Sequence, residues 1–261
     1  MKPFELLEAK QREVGGCRRD VSPAELKERI ARYTEPARSL TTIRGEHVGI
    51  VGEIHPPDHP LAELFDPRIW GQEYAGAGCV AVAVCTDRVL HDGEVFHSRR
   101  ARKYMPLPVI RFDYIVDEYQ VYESRANEAD AVTIPEALLA DGQILALMAA
   151  CEEVEIAPVI MVDTCEGARR AVELGARYML AVPLMWDYTA AVPHEEIGRM
   201  AEGLPEEARL ITFVQELTRE TVEALAELGV NAVLGAPNSY DPAEAAIAIR
   251  QLNEIPRHAG D

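Results

Sequence analysis

The sequence predicts an α/β protein, a (β/α)8 TIM barrel with an N-terminal helical extension. Eight short, nearly continuous apolar runs recur along the chain, which is the pattern of parallel strands buried on both faces. Helical stretches separate these runs, and the length of 261 residues suits one barrel domain. We assign residues 1–46 to the extension and residues 47–261 to the barrel.

Two helices are predicted ahead of the first strand, at Phe4–Val14 and Pro23–Tyr33. Ser22 is a suitable N-cap for the second helix, because its hydroxyl can accept a backbone N–H and proline follows it. The predicted strands are Val48–Ile54, Cys79–Cys85, Val109–Phe112, Ala131–Ile134, Pro158–Val162, Tyr178–Val182, Leu210–Val214 and Asn231–Leu234.

Helical spacing of apolar residues predicts further helices, for example at Asp141–Glu152 and Arg219–Leu228, and another that is capped near Asp117. Gly175 and Gly229 lie just past predicted helix ends, where a left-handed residue is favoured. Function is expected at the carboxyl ends of the strands, as is usual for such barrels.

Composition excludes several classes of function. The chain carries 26 basic and 44 acidic residues, a net charge of −18, which disfavours binding to nucleic acid and to anionic membranes. No apolar run is long enough for a membrane span or resembles a signal peptide, so we expect a cytoplasmic protein. The five cysteines lack CxxC spacing and predict reduced, mostly buried thiols. Neither a cofactor nor a metal is predicted.

The segment Pro108–Arg125, PVIRFDYIVDEYQVYESR, resembles the third strand and following helix of indole-3-glycerol phosphate synthases, which read PVLRKDFIIDPYQIYEAR. VGIVGEIH is similar to the family's first strand, IALIAEIK, and SPAELKERI is similar to its additional N-terminal helices. DPRIWGQEYAGAGCVAVAVCTD resembles the family's DPAALARAYEAGGAAALSVLTD, and later helices match as well. The resemblance therefore covers nearly the whole chain and implies the same barrel fold.

The resemblance also implies a reaction and a set of residues for it. These enzymes of tryptophan biosynthesis close an indole ring, with loss of carbon dioxide and water, from a phosphorylated anilino-deoxyribulose. They use a lysine general acid, a second lysine, glutamates, and a backbone cradle for the phosphate. Matched residue by residue, the first-strand glutamate is Glu53, but the lysine two positions later is His55 and the general-acid lysine is Phe112.

Other polar residues of the family are replaced as well. A fifth-strand glutamate matches Met161. The first asparagine and the arginine of a sixth-strand NNR triplet match Val182 and Leu184. A seventh-strand glutamate matches Phe213, and the phosphate-facing glycine matches Gln215. After the eighth strand, Pro237 removes a backbone N–H from the cradle, next to Asn238. Each acid–base group contributes roughly 10²–10⁴-fold to a rate. We therefore expect that the chain does not make indole-3-glycerol phosphate.

Two interpretations of the altered pocket stay open. A third possibility is that the chain keeps the family reaction. The pocket residues are Phe112, Met161, Val182, Leu184, Trp186, Phe213, Gln215 and Asn238. In the first interpretation they fill the barrel of a pseudoenzyme that works through its surface, with a protein partner or by self-association. In the second they line a repurposed site for a small hydrophobic or weakly charged ligand. Trp186 and Tyr188 could then form a lid over the ligand or an anchor for a partner.

Polar residues at the rim are candidates for remaining chemistry. Glu53, His55, Asp163 and Tyr114 follow or end strands and could provide acid–base catalysis. A metal held by His55 and His59 is disfavoured, because their spacing matches no recognised signature. Arg111 and Asp113 are expected to face the helices and form a structural ion pair. The other histidines considered are expected at the surface; they are His91, His97 and His194.

Overall fold

The computed structural model describes residues 1–32, 35–43, 47–56, 65–185, 190–253 and 255–256. The predicted (β/α)8 barrel is confirmed, because eight parallel strands pair in sequence order and the eighth closes on the first. The strands are β1 Gly49–Ile54, β2 Ala81–Cys85, β3 Val109–Phe112, β4 Ala131–Pro135, β5 Ala157–Val162, β6 Tyr178–Ala181, β7 Arg209–Phe213 and β8 Ala232–Gly235.

Helices α1 and α2 precede the barrel and the other helices follow its strands. Their bounds are α1 Pro3–Asp20, α2 Pro23–Arg32, α3 Pro67–Ala77, α4 Phe96–Arg102, α5 Glu118–Ala126, α6 Asp141–Glu153, α7 Cys165–Glu173, α8 His194–Gly203, α9 Arg219–Glu227 and α10 Pro242–Arg250. In the described part of the chain, none of these helices has the length and apolar character needed to span a bilayer.

Local signals explain several helix boundaries. The carboxylate of Asp117 accepts a hydrogen bond from the backbone N–H of Tyr119 at 2.8 Å and so caps α5, as predicted. Gly175 and Gly229 follow α7 and α9 with φ values of 92° and 80°, which confirms their predicted left-handed conformation. Ser22 caps α2, because its hydroxyl accepts the backbone N–H of Glu25 at 3.3 Å.

Helix α1 is longer than predicted. It was expected to end at Val14, but it continues through two glycines to Asp20. Glycine costs about 1 kcal/mol in a helix interior relative to alanine, so packing must offset this cost. The hydroxyl of Tyr119 on α5 lies 3.0 Å from the carbonyl oxygens of both Cys17 and Val21, which share its one proton. These contacts stabilise the extra turns against the barrel.

Side chains alternate along each strand between the barrel interior and the surrounding helices. On β1, Val51 belongs to the interior apolar cluster and Ile50 packs toward the helices. The alternation places Glu53 on the interior side. On β3, Phe112 belongs to the interior cluster, whereas Arg111 binds the side chain of Glu123 on α5 at 2.8 Å.

Lys10 of α1 is fully buried, and its ammonium group lies between two buried carboxylates. Its Nζ atom donates hydrogen bonds to Asp113 Oδ1 at 2.7 Å and to Asp87 Oδ1 at 3.0 Å. The other oxygen of Asp113 accepts hydrogen bonds from Arg111 and from the hydroxyl of Thr86, each at 2.9 Å. This buried network confirms the predicted Arg111–Asp113 ion pair, and it joins α1 to the ends of β2 and β3.

The network stabilises the fold over a wide pH range. Burial lowers the pKa of Lys10, but the surrounding carboxylates outweigh burial and raise the pKa above its usual value. Burial raises the pKa of Asp113, but Lys10 and Arg111 outweigh burial and hold it well below its usual range. A raised lysine pKa contributes stability below about pH 10, and a lowered aspartate pKa contributes stability above about pH 4. Both contributions are therefore present between these limits.

We expect the substitution Lys10→Met to lower the free energy of unfolding by about 3–5 kcal/mol at pH 7, because it leaves buried carboxylates without their shared cation. Urea denaturation followed by circular dichroism measures the change. The control is Arg32→Met, which removes an exposed ion pair with Glu28 on α2 and should have little effect. Equal stability of the two variants would contradict the importance of the network.

Candidate functional site at the barrel mouth

Apolar side chains occupy the interior of the barrel at the carboxyl ends of the strands. Phe112, Met161, Val182 and Phe213 all belong to the interior cluster and are at most 3% exposed. The rings of Phe112 and Phe213 have centroids 6.1 Å apart, so side chains from opposite parts of the barrel meet at its centre. Leu184 is half-buried and packs against the same cluster.

Glu53 lies on the interior side of β1 and is only 4% exposed. His55 follows the strand and is half-buried. Its ring makes an edge contact with the ring of His91, at 5.7 Å between centroids. His91 comes from the loop between β2 and α4, so two loops bring these imidazoles together.

The prediction that His91 and His97 lie at the surface is wrong, whereas His194 is exposed as predicted. The loop containing His91 turns back on itself, because the carboxylate of Asp87 accepts the backbone N–H of Leu90 at 2.8 Å. The Asp-Gly pair at positions 92 and 93 was a sequence signal for such a turn. Burial also lowers the pKa of His97, whose ring contacts two phenylalanine rings.

Tyr114 is fully buried in the interior cluster. Its hydroxyl donates a hydrogen bond to the backbone carbonyl oxygen of Leu184 at 2.7 Å. The hydroxyl therefore joins the segment after β3 to the segment after β6. Asp163, which directly follows β5, is half-buried. The four candidate catalytic residues thus occupy different environments, and Tyr114 has a structural hydrogen bond.

Two of the remaining candidates are exposed to solvent. Gln215 and Asn238, in the loops after β7 and β8, are exposed. Trp186 and Tyr188 lie outside the described residues, and so does His59. Gly235 ends β8, and a Cβ atom there would approach the carbonyl oxygen of Val214 to 3.0 Å. The backbones of these two strand ends are therefore in close contact.

The loops that follow the eight strands are acidic. Each contains at least one carboxylate; one for each loop in order is Asp58, Asp87, Asp113, Glu136, Asp163, Asp187, Glu216 and Asp241. The sequences of these loops contain no lysine and one arginine, Arg88. Arg88 forms an ion pair with Glu94 at 2.5 Å. Asp87, Asp113 and Glu136 are themselves paired with Lys10, Arg111 and Arg170. A phosphate group that approached this face would therefore find no lysine in these loops and one arginine, which is already paired.

The described part of the mouth offers little for metal or thiolate chemistry. Among described residues, no group of three or more His, Cys, Asp or Glu side chains is arranged to hold a metal ion. The thiol of Cys85 at the end of β2 is buried, and burial raises its pKa. A neutral buried thiol is a poor nucleophile.

The closed eightfold barrel, the two helices ahead of it and a site at the carboxyl ends of its strands define the class of (β/α)8 barrels that carry function on this face. Within that class, a sequence model of indole-3-glycerol phosphate synthase matches residues 5–252, and the chain belongs to this family. The resemblance seen in the strand and helix motifs is thereby confirmed.

Several curated relatives match most of the chain. The indole-3-glycerol phosphate synthase of Saccharopolyspora erythraea is 29% identical over 231 residues, which cover 87% of this chain and 86% of the relative. The enzyme of that name from Mycolicibacterium gilvum is 29% identical over 248 residues, 92% and 90% of the two chains. The corresponding protein of Mycobacterium tuberculosis is 28% identical over 251 residues, 93% and 91% of the two chains.

We expect Tyr114→Phe to lower the free energy of unfolding by about 1 kcal/mol, because the carbonyl of Leu184 loses its buried donor. Backbone amides next to Leu184 should also exchange faster with deuterium, since the segment after β6 loses an attachment. The control is Tyr240→Phe at an exposed tyrosine. Unchanged exchange in the Tyr114→Phe protein would show that the hydrogen bond does not restrain this segment.

Proposed function

We propose that this member of the indole-3-glycerol phosphate synthase family does not form indole-3-glycerol phosphate and acts as a binding or assembly protein through its outer surface. The filled interior of the barrel mouth carries the proposal. A substrate site needs a concave space of about 300–1,000 Å³. Here Phe112, Met161, Val182 and Phe213 are at most 3% exposed, so they leave no room among them for a substrate.

The charges at the mouth support the same proposal. The family substrate is a phosphorylated carboxylate, so binding it requires cationic groups or free backbone N–H groups. The loops around the mouth contain no lysine, and their one arginine, Arg88, is engaged by Glu94. Pro237 also lacks an N–H in the loop after β8, where the family's phosphate cradle is expected.

A second candidate is a repurposed site for a small, weakly charged ligand. The contact between the His55 and His91 rings favours this ligand site, because His55 is only two residues from Glu53. Imidazole and carboxylate groups are the usual acid–base catalysts near neutral pH. In this candidate Glu53, His55 and Asp163 would act on the ligand. Trp186, Gln215 and Asn238 would contact it.

We expect no turnover of the phosphorylated anilino-deoxyribulose substrate by the purified protein. The Mycobacterium tuberculosis relative, assayed in parallel, serves as the positive control. The variant Phe112→Lys should also be inactive, because one restored lysine supplies neither the second lysine nor the phosphate cradle. Turnover by the unchanged protein that is abolished in Glu53→Gln would contradict the proposal and indicate that the family reaction is retained.

We expect that indole does not raise the melting temperature of the unchanged protein, because the interior is already filled. Phe213→Ala should lower the free energy of unfolding by about 3–5 kcal/mol and leave an apolar cavity that binds indole. Indole should then stabilise this variant selectively, which a thermal-shift titration measures. Stabilisation of the unchanged protein would instead favour the repurposed ligand site.

A further inference from the structure

Exposed aromatic and cationic side chains meet on the outer surface where α3 packs against α4. Phe96 is the first residue of α4 and Tyr104 follows the helix; they are 42% and 44% exposed, and Ile69 of α3 is 49% exposed. The two helices approach closely at Gly71, where a Cβ atom would lie 3.4 Å from the carbonyl oxygen of Ala101. We call this surface the α3–α4 patch; its residues are Arg68, Ile69, Phe96, Arg99, Arg100, Lys103 and Tyr104.

Cations lie over both aromatic rings of the patch. The guanidinium carbon of Arg100 is 5.7 Å from the centroid of the Phe96 ring. At Tyr104, the guanidinium of Arg68 and the ammonium of Lys103 lie 5.7 Å and 5.5 Å from the ring centroid. These cation–π contacts hold long side chains in place. The entropy that would be lost when a partner binds is therefore reduced.

The positive charge of the patch contrasts with the rest of the chain. Residues 95–112 contain no aspartate or glutamate, in a protein with a net charge of −18. Within the patch, Arg68 forms an ion pair with Asp66, and Arg99 lies 3.5 Å from Glu128. Arg100 and Lys103 form no ion pair with any residue that the structure describes. These two cations are therefore available to an acidic partner.

The same charges select the class of partner. A two-fold dimer through this surface would place the four exposed cations of one copy against those of the other, which is unfavourable. A nucleic acid or an anionic membrane extends beyond the patch and would meet the acidic remainder of the protein. A short acidic segment can contact the patch alone. Ile69, Phe96 and Tyr104 require that such a segment also present apolar side chains.

We infer that the α3–α4 patch binds an acidic, amphipathic segment of another protein. Its carboxylates pair with Arg100 and Lys103, and its apolar side chains pack on Ile69, Phe96 and Tyr104. Tyrosine and arginine are the residue types that dominate binding energy at protein interfaces. This inference rests on the proposed binding role and specifies the chemistry of the partner.

The test uses a fluorescein-labelled synthetic helical peptide with leucine and phenylalanine on one face and glutamate on the other. Fluorescence anisotropy measures its affinity for the whole protein. We expect the double variant Arg100→Glu/Lys103→Glu to bind at least tenfold more weakly, and Tyr104→Ala to bind more weakly as well. The matched control, Arg12→Glu/Arg169→Glu, reverses two exposed cations on α1 and α7 and should leave the affinity unchanged.

Several outcomes would overturn the inference. These are absence of peptide binding, equal affinity of the unchanged protein and the Arg100→Glu/Lys103→Glu variant, or binding of single-stranded RNA or phosphatidylserine vesicles in place of the peptide. A dimer that the same double variant dissociates in sedimentation would assign the patch to self-association instead. Turnover of the family substrate would contradict the proposed loss of catalysis without affecting peptide binding, so the two proposals fail separately.

Discussion

The buried ammonium group of Lys10 is the interaction on which the arrangement of the extension and the barrel depends. A charge transferred from water to a protein interior costs several kcal/mol, so it must be matched by groups of opposite charge. Asp87 and Asp113 supply this match from the ends of two neighbouring strands. A helix held only by apolar contacts can shift along the surface it packs on. The hydrogen bonds of Lys10 to Asp87 and Asp113 would break on such a shift, so they fix the position of α1 on the barrel.

The network also determines the geometry of the mouth. Asp87 receives Lys10 on one oxygen and the backbone of its own loop on the other, so the loop that carries His91 is attached to α1. Asp113 directly precedes Tyr114, whose ring enters the interior cluster. A helix outside the barrel thus positions two segments at its functional face. Apolar packing inside and ionic contacts outside are linked through adjacent residues of the same loops.

Much of this fold could be predicted from the sequence, because a strand buried on both faces requires a short continuous apolar run, and few other structural elements require one. Period-two alternation likewise predicted that Arg111 would face the helices while Phe112 faced the interior. The burial of Lys10 could not be predicted, since a lysine in a charged helix is normally solvated and its partners lie far along the chain. His91 was missed for a similar reason: its burial depends on how one loop folds over another. Local patterns specify elements, whereas the placement of loops and single charges depends on tertiary contacts.

The hydrogen bond from Tyr114 to Leu184 has a mechanical consequence for the barrel. Neighbouring strands are paired around the circumference, and such pairing allows a ring to flatten into an oval at small cost. This bond instead follows β3 and reaches the segment after β6, three strands away, so it crosses the ring as a chord. A chord resists flattening in the direction along which it runs. The bond therefore connects two parts of the mouth that strand pairing leaves separate, so a displacement of the segment after β3 would be transmitted to the segment after β6.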